Sequence, residues 1–255
     1  MMKPKVHFAD KYIINPSHPI TVNLIGIGGT GSHVLTCLGR INHALINLNQ
    51  TSLHVTAFDP DEVTEANIGR QLFPYSDIGL NKAEVLVTRI NRFFGTSWNA
   101  VPEVYTNQKA NITISCVDNI KSRIEIGNVL ARLAGRKFED YETPKYWLDF
   151  GNAANHGQYV LGTVGKIKQL SSKKYTPVAK MQTIIEMFDF TKIKDEDSGP
   201  SCSLSEALAK QDLFINSMLA EAGCSLLWKL LNQKIIDRQG AFFNLSTLQS
   251  SPICL

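Results

Sequence analysis

"TVNLIGIGGTGSHVLTCLGRINHALINL", Thr21 to Leu48, decides how the rest of the chain is read. "TVNLIGI" (21–27) is apolar and β-branched without polar alternation, as expected of a parallel strand buried on both faces. "GGTGSH" comes next, and from Val34 to Leu48 the apolar residues recur at helical spacing. Gly26, Gly28 and Gly31 therefore fall in a GxGxxG pattern, with Gly29 inside it, between a strand and a helix. Glycines in that setting permit a tight turn and let a phosphate approach the helix N-terminus. A glycine turn needed only to pack strand on helix would carry the same letters, so the turn by itself names no ligand. His33, two residues beyond Gly31, can face a phosphate or pack in the first helical turn.

Outward from this unit, strands and helices alternate. "LHVTAFD" (53–59) reads as a second buried strand ending on Asp59, residues 60–81 as a long loop, and "NKAEVLVTRINRFF" (81–94) as an amphipathic helix capped by Asn81. "NAVPEVY" (99–105) and "NITISCVD" (111–118) are further short strands, "KSRIEIGNVLARLAG" (121–135) a helix and "KYWLDFGN" (145–152) a strand. The alternation predicts a doubly wound α/β sheet, mainly parallel. The second half differs. "GQYVLGTVG" (157–165) predicts an antiparallel strand, residues 166–200 a largely irregular stretch, residues 203–233 a helical region broken near Lys210, and "GAFFNLSTL" (240–248) a final strand. The expected organisation is one domain over 1–255, with a nucleotide-binding half at about 20–150 and a loop, helical and final-strand region at about 151–255.

Composition narrows the function classes. Charged residues make up 19% of the chain and apolar runs fall well short of the ~20 residues of a membrane span, so no membrane partner is expected. A formal charge of +3 is too slight to argue for direct nucleic-acid contact. Residues 1–20 lack the apolar core of a signal peptide. The five cysteines, Cys37, Cys116, Cys202, Cys224 and Cys254, are odd in number and contain no CxxC pair, which disfavours both a disulfide framework and a structural zinc. A reduced, cytoplasmic protein is expected.

The chemistry is concentrated in "DPDEVTEANIGRQLF", Asp59 to Phe73, and in the helix and strand beyond it. An acid ending the second strand accepts hydrogen bonds from ribose hydroxyls, of NAD or ATP alike. Asp59 stands farther from Gly31 than the usual interval of about 20 residues, a difference that the long first helix absorbs. Asn67, Arg70, Gln71 and Lys82 break the tie. Cations beside a glycine turn suit a nucleoside triphosphate, whose phosphates gain charge under nucleophilic attack, better than they suit hydride transfer. Asp118, closing "ISCVD", could hold magnesium against those phosphates. Taken singly, each residue has a plain structural reading: Arg70 as a surface ion-pair partner, Lys82 as a solvated helix residue, Asp118 as a helix cap.

"DPDEVTEANIGRQLF…DIGLNKAEV…CVDN" resembles the ThiF/MoeB and ubiquitin-activating-enzyme superfamily, strongly over residues 20–130 and more loosely beyond. The family pattern runs acid-x-acid, Ser-Asn-Leu-x-Arg-Gln, Gly-x-x-Lys and a strand ending Asp-Asn. Asp59 and Asp61 match the two acids, Asn67, Arg70 and Gln71 the central segment, Lys82 the phosphate lysine, and Asp118 with Asn119 the strand end. Ala66 replaces the family's Ser and Ile68 its Leu. "GPSCSLSEALAKQDLFIN" (199–216) looks in addition like the ThiF-type member of the PRTRC cassettes.

The resemblance implies a Rossmann-like fold, ATP and magnesium as cofactors, no zinc, a homodimer, and a small ubiquitin-like carrier protein as partner. It implies that Gly26, Gly28, Gly29, Gly31, Asp59, Asp61, Gln71 and Asn119 bind the nucleotide. Asn67, Arg70 and Lys82 would stabilise the phosphates, with Asp118 holding the metal. The expected reaction is adenylation of the carrier's C-terminal carboxylate with release of pyrophosphate. Two rivals remain, an NAD-dependent oxidoreductase and a non-catalytic nucleotide-binding adaptor. Relatives also use an N-terminal Arg, whereas here the first Arg is Arg40, and only Lys3, Lys5 and Lys11 precede the first strand. Cys202, predicted at a helix N-terminus that would lower its pKa, is a candidate thioester nucleophile or a packing residue.

Overall fold

The apolar run before the glycine turn forms β2 (Ile20–Ile25) at the centre of an eight-stranded sheet. In the computed structural model, which describes residues 3–134, 136, 138–190 and 211–255, its side chains are buried on both faces. β3 (Leu53–Phe58) and β5 (Ile112–Ser115) pair with it in parallel on either side. β4 (Asn99–Val101) extends the β3 side in parallel, and β6 (Tyr146–Asn152) extends the β5 side. The strand predicted over 99–105 is thus only three residues long, because Pro102 has no N–H to continue the ladder.

Helices cover both faces. α2 (Gly29–Asn47), α3 (Lys82–Phe94) and α6 (Ile215–Asn232) bury Val34, Leu35, Leu38, Leu86, Leu219, Leu227 and their neighbours against one face. α4 (Ile120–Ala134) and the short α5 (Ile184–Met187) bury Ile126, Leu130 and Ile184 against the other. The expected alternation and Asn81 cap are present, the Asn81 side chain accepting from the Glu84 N–H at 3.1 Å. The α4 helix begins after Asn119, whose Oδ1 accepts the Ser122 N–H at 2.8 Å.

The second half adds antiparallel strands, as the sequence predicts. β7 (His156–Thr163) returns along β6, and β10 (Arg238–Asn244) pairs with β7. The final strand differs from the expectation of 240–248. The chain turns at 245–248, with Leu248 at φ 52°, and comes back as β11 (Gln249–Cys254), a hairpin partner for β10. Its Ser, Gln and Pro content hid it from a search for apolar alternation. A second small sheet was also not foreseen. β1 (Lys5–Phe8) lies between β8 (Thr176–Pro177), parallel, and β9 (Ile235–Ile236), antiparallel. The short α1 (Lys11–Ile14) comes after β1, capped by Asp10. His7 fastens this sheet to the main one: it is fully buried, its Nδ1–H donates to the Val178 carbonyl at 2.7 Å, and its Nε2 accepts from the Tyr146 hydroxyl at 3.0 Å. The Val178 carbonyl can only accept, which puts the proton of the neutral ring on Nδ1 and leaves Nε2 to accept from Tyr146, whose oxygen in turn accepts the Asp10 N–H at 2.8 Å.

The helix expected from 203 to near Lys210, and Cys202 with it, lie outside the described residues. No helix among the described residues is long and apolar enough to cross a membrane.

Candidate functional site

Strand order reverses at β2. From there the chain runs outward to β3 and β4 on one side and to β5 and β6 on the other. Such a reversal leaves a crevice at the carboxyl ends of the central strands, where ligands bind in open α/β sheets. The glycine turn sits at that point. Gly26 has φ 85°, and a Cβ there would lie 2.8 Å from the Cys116 carbonyl oxygen. A Cβ on Gly31 would lie 1.8 Å from the Gly26 carbonyl oxygen, so only glycine lets the first turn of α2 close on β2. Gly28, at the N-cap of α2, faces comparatively open space, the nearest neighbour of a Cβ there being Gln71 Nε2 at 4.0 Å.

Asp59 ends β3 in the crevice. Its side chain is buried and holds two loops: Oδ2 accepts the Ile27 N–H and Oδ1 accepts the Asp61 N–H at 2.9 Å. Burial pushes its pKa up, and these two N–H bonds pull it partly back. Asn81 then ties the adjoining loop to α3, donating to the carbonyls of Asp59 at 2.9 Å and Asp61 at 3.1 Å. Lys82, the first residue of α3, is only 8% exposed, which rules out the solvated-helix reading. Its Nζ meets Asp61 at 2.9 Å.

The loop between β3 and α3 carries the other predicted residues. Asn67 Oδ1 accepts the N–H of Thr64 at 2.9 Å and its hydroxyl at 3.2 Å, shaping the 3-10 turn Glu65–Asn67. Arg70 donates from Nη1 to Gln211 at 2.8 Å and has no acid partner among the described residues. Among the described residues neither its Nε nor Oε1 of the neighbouring Gln71, both buried, has a hydrogen-bond partner. Burial lowers the Arg70 pKa without bringing its charge near neutrality. Among the described residues no ion pair supports the surface reading of Arg70. The cap reading of Asp118 falls, since Asn119 fills that role while the exposed Asp118 carboxylate accepts from the Asn119 amide at 3.1 Å.

Two linked groups result, Asp59–Asp61–Lys82 on the β3 side and Arg70–Gln211 on the α6 side. Asp118 stands apart, three residues beyond β5 and just after the Cys116–Val117 backbone that abuts Gly26, bonded to neither group among the described residues. His33 is half-buried in α2, and its pKa is lowered by that burial. Arg40 reaches Glu221 on the surface at 2.7 Å. Burial raises the Cys116 thiol well above the usual thiol range, and the buried Cys37 beside Cys224 does the same for Cys224, which makes both poor nucleophiles.

Sequence reasoning missed a buried ion pair beneath the site. Arg123 on α4 spans Asp149 on β6, its Nε lying 3.0 and 2.9 Å from the two carboxylate oxygens. Its Nη2 donates to the carbonyls of Val117 at 2.9 Å and Phe150 at 3.0 Å. The signal was present: an acid within the otherwise apolar "YWLDFG" requires a buried cation. The polar cluster of Asn152, Gln211 and Asn216 was missed too. A separate groove of about 620 Å³ runs along α3, where Arg89 is already paired with Asp77.

A family model described as the ThiF family matches residues 18–250. The chain belongs to the ThiF family. Solved structures with the same fold include selenomethionine-labelled PaaA, at 12% identity and TM-score 0.56, covering 92% of this chain and 64% of that one. The structure of E. coli MccB aligns at 15% identity and TM-score 0.56, covering 92% and 62%. A structure of E. coli MccB with ATP aligns at 14% identity and TM-score 0.55, covering 92% and 63%. Identities this low speak for the fold alone, and the chain spans just under two thirds of the length of these proteins. No curated protein matches it. For this ThiF-family chain the mainly parallel Rossmann-like sheet with antiparallel additions accords with the sequence expectation. The PRTRC subtype is addressed by none of these matches.

Proposed function

We propose that the chain is an ATP-dependent adenylyltransferase that activates the C-terminal carboxylate of a small ubiquitin-like carrier protein. The observation that carries this reading is Arg70: a half-buried guanidinium held by the neutral Gln211, linked through it and Asn216 to the first turn of α2, with a buried Nε that has no hydrogen-bond partner among the described residues. A desolvated cation without a described counter-anion fits an anionic ligand, and its fork suits phosphate oxygens. Family membership supports a nucleotide there, and the open face of Gly28 leaves backbone N–H groups at the start of α2 to meet it.

In this reading the carrier carboxylate attacks the α-phosphorus. An oxygen–phosphorus bond forms, the bond to the bridging oxygen breaks, and pyrophosphate leaves. Arg70 and Lys82 offset the charge that builds on the phosphates. Lys82 would exchange Asp61 for phosphate oxygens, an exchange eased by the Asp61 carboxylate being largely exposed and free to return to water. Asn67 keeps its amide N–H groups for the nucleotide while its carbonyl shapes the turn, and Gln71 lies against Gly28. Asp59 retains lone pairs for ribose hydroxyls while its N–H bonds fix its position. Asp118, with Asn119 beside it, offers a hard oxygen to magnesium, which would neutralise phosphate charge when bound. A single carboxylate suffices for that, since magnesium takes its remaining ligands from phosphates and water. A homodimer, a cytoplasmic setting, a single domain over 1–255 and a PRTRC-type role belong to the same proposal.

Exchange of labelled pyrophosphate into ATP, run with candidate carrier proteins, tests the reaction. Carrier-dependent exchange that disappears in Asp118→Ala is the expected result. ATP affinity without exchange for any carrier would turn the reading into that of a nucleotide-binding adaptor. Undiminished exchange in a folded Asp118→Ala variant would remove the assigned role of that carboxylate.

A further inference from the structure

α6 opens on a polar residue where its inward face is otherwise apolar. Asn216 is 2% exposed, between Ile215 and the buried Leu219 and Ala220. A buried amide is costly unless its bonds are made, and here they lead in three directions. Oδ1 accepts the Thr30 hydroxyl at 2.9 Å and the Asn152 amide at 2.7 Å, and Nδ2 donates to Gln211 Oε1 at 3.0 Å. The same Gln211 oxygen accepts Arg70 Nη1 at 2.8 Å. One amide thus joins the first turn of α2, the end of β6 and, through Gln211, the Arg70 guanidinium. Gly29 is part of this arrangement, since a Cβ there would lie 2.7 Å from the Asn216 amide. At that position glycine makes room for Asn216.

From this connectivity we infer that Asn216 and Gln211 are positioning residues: they preset Arg70 against the glycine turn so that its free edge meets the phosphates of a nucleotide. The inference rests on the triphosphate reading above. Arg is a long side chain that loses rotamer freedom when it grips a ligand, and one already fixed at Nη1 loses less. Gln211 takes only one corner of the fork and, being neutral, leaves the charge uncompensated. An acid in its place would hold the guanidinium as firmly and blunt its attraction for phosphate. Gln211 is itself fastened where the chain enters α6, beside Asp212, whose N–H donates to the Ala154 carbonyl at 2.7 Å.

The test is a double-variant cycle on the full chain, with the dissociation constant for magnesium–ATP measured by calorimetry. Gln211→Met keeps length and packing but removes the acceptor. Alone it should weaken ATP binding about tenfold, an order set by typical coupling between contacting residues. In an Arg70→Ala background it should change nothing further. Its thermal midpoint should fall by about 2–12 °C, because the buried Asn216 amide loses its acceptor, and the Arg70 dependence of ATP binding is what separates positioning from that stability loss. Asn216→Ala should weaken ATP binding in the same Arg70-dependent manner while also lowering stability. A purely structural role predicts stability loss without dependence on Arg70. Losses that multiply independently, or a Gln211→Met chain that binds ATP like the unmodified one, would overturn the inference while leaving the nucleotide reading standing. An unmodified chain that takes no ATP would overturn both.

Discussion

Replacing Arg123 by Met should be among the most damaging single changes in the molecule outside the apolar core. The substitution keeps most of the aliphatic stem and removes the charge. It strands Asp149, 1% exposed, with one remaining side-chain donor, the Ser115 hydroxyl at 2.6 Å. It also deprives the Val117 and Phe150 carbonyls of Nη2. Breaking a buried pair from one side typically costs about 3–5 kcal/mol. A chain of this size loses roughly 2–4 °C of melting temperature per kcal/mol, so a drop of about 6–20 °C is expected at neutral pH. The pH dependence has a definite sign. Burial already holds the Asp149 pKa above its ordinary value despite Arg123, and losing the cation raises it further. The native variant then binds more protons than its unfolded chain, so its stability should rise as pH falls through that raised pKa and level off below the unfolded value of about 3.9. The double variant Arg123→Met/Asp149→Leu should recover most of the loss. Thermal melts followed by circular dichroism at pH 7 and pH 5 measure all three expectations. A loss below about 3 °C at pH 7, or a deficit that grows on acidification, would refute the account of the pair.

Other expectations are simpler. Magnesium–ATP should raise the melting temperature more than NAD does, and equal or greater stabilisation by NAD would favour the oxidoreductase alternative. Gly31→Ala should abolish nucleotide binding and destabilise the fold by roughly 1–3 kcal/mol or more, since its methyl would meet the Gly26 carbonyl; ATP affinity and melting temperature report both. His7 is held neutral because burial lowers its pKa, so the unfolded chain binds more protons below about 6.5. Stability should therefore fall as pH drops from 6.5 toward the lowered pKa, and less so in His7→Asn, as melts across pH 7.5–5.5 would record. Cys202→Ala should leave pyrophosphate exchange intact while removing any reductant-sensitive adduct with the carrier, if such an adduct forms in the unmodified chain.

The parallel half of the sheet was legible because both-face burial writes itself as uninterrupted apolar strands, as in Ile20–Ile25 and Ile112–Ser115. β11 was not, because an edge strand facing water can be built from Gln, Ser and Pro and still pair through its backbone. β1, β8 and β9 escaped for another reason: strands of two to four residues carry too little pattern to register, and their partners lie far apart in sequence. In the site, charged residues in a recognisable order could be placed beforehand. Neutral amides such as Asn216, Gln211 and Asn152 could not, since the letters N and Q do not reveal whether an amide faces solvent or joins three elements.

The placing of β1 also bears on how the polypeptide is made. Its two partners, Thr176–Pro177 and Ile235–Ile236, belong to the second half of the chain. At translation rates of about 5–20 residues per second, they leave the ribosome on the order of ten seconds or more after β1. Through that interval β2, β3 and β5 can assemble while the first strand has no edge to join and His7 has no cage. β1 can thus pair only after both partners are made, so its fitting is a late closing step although the strand is made before either of them. A bulky fusion ahead of Lys3 would act on that closing step, slowing completion of the molecule while leaving the nucleotide-binding half free to form.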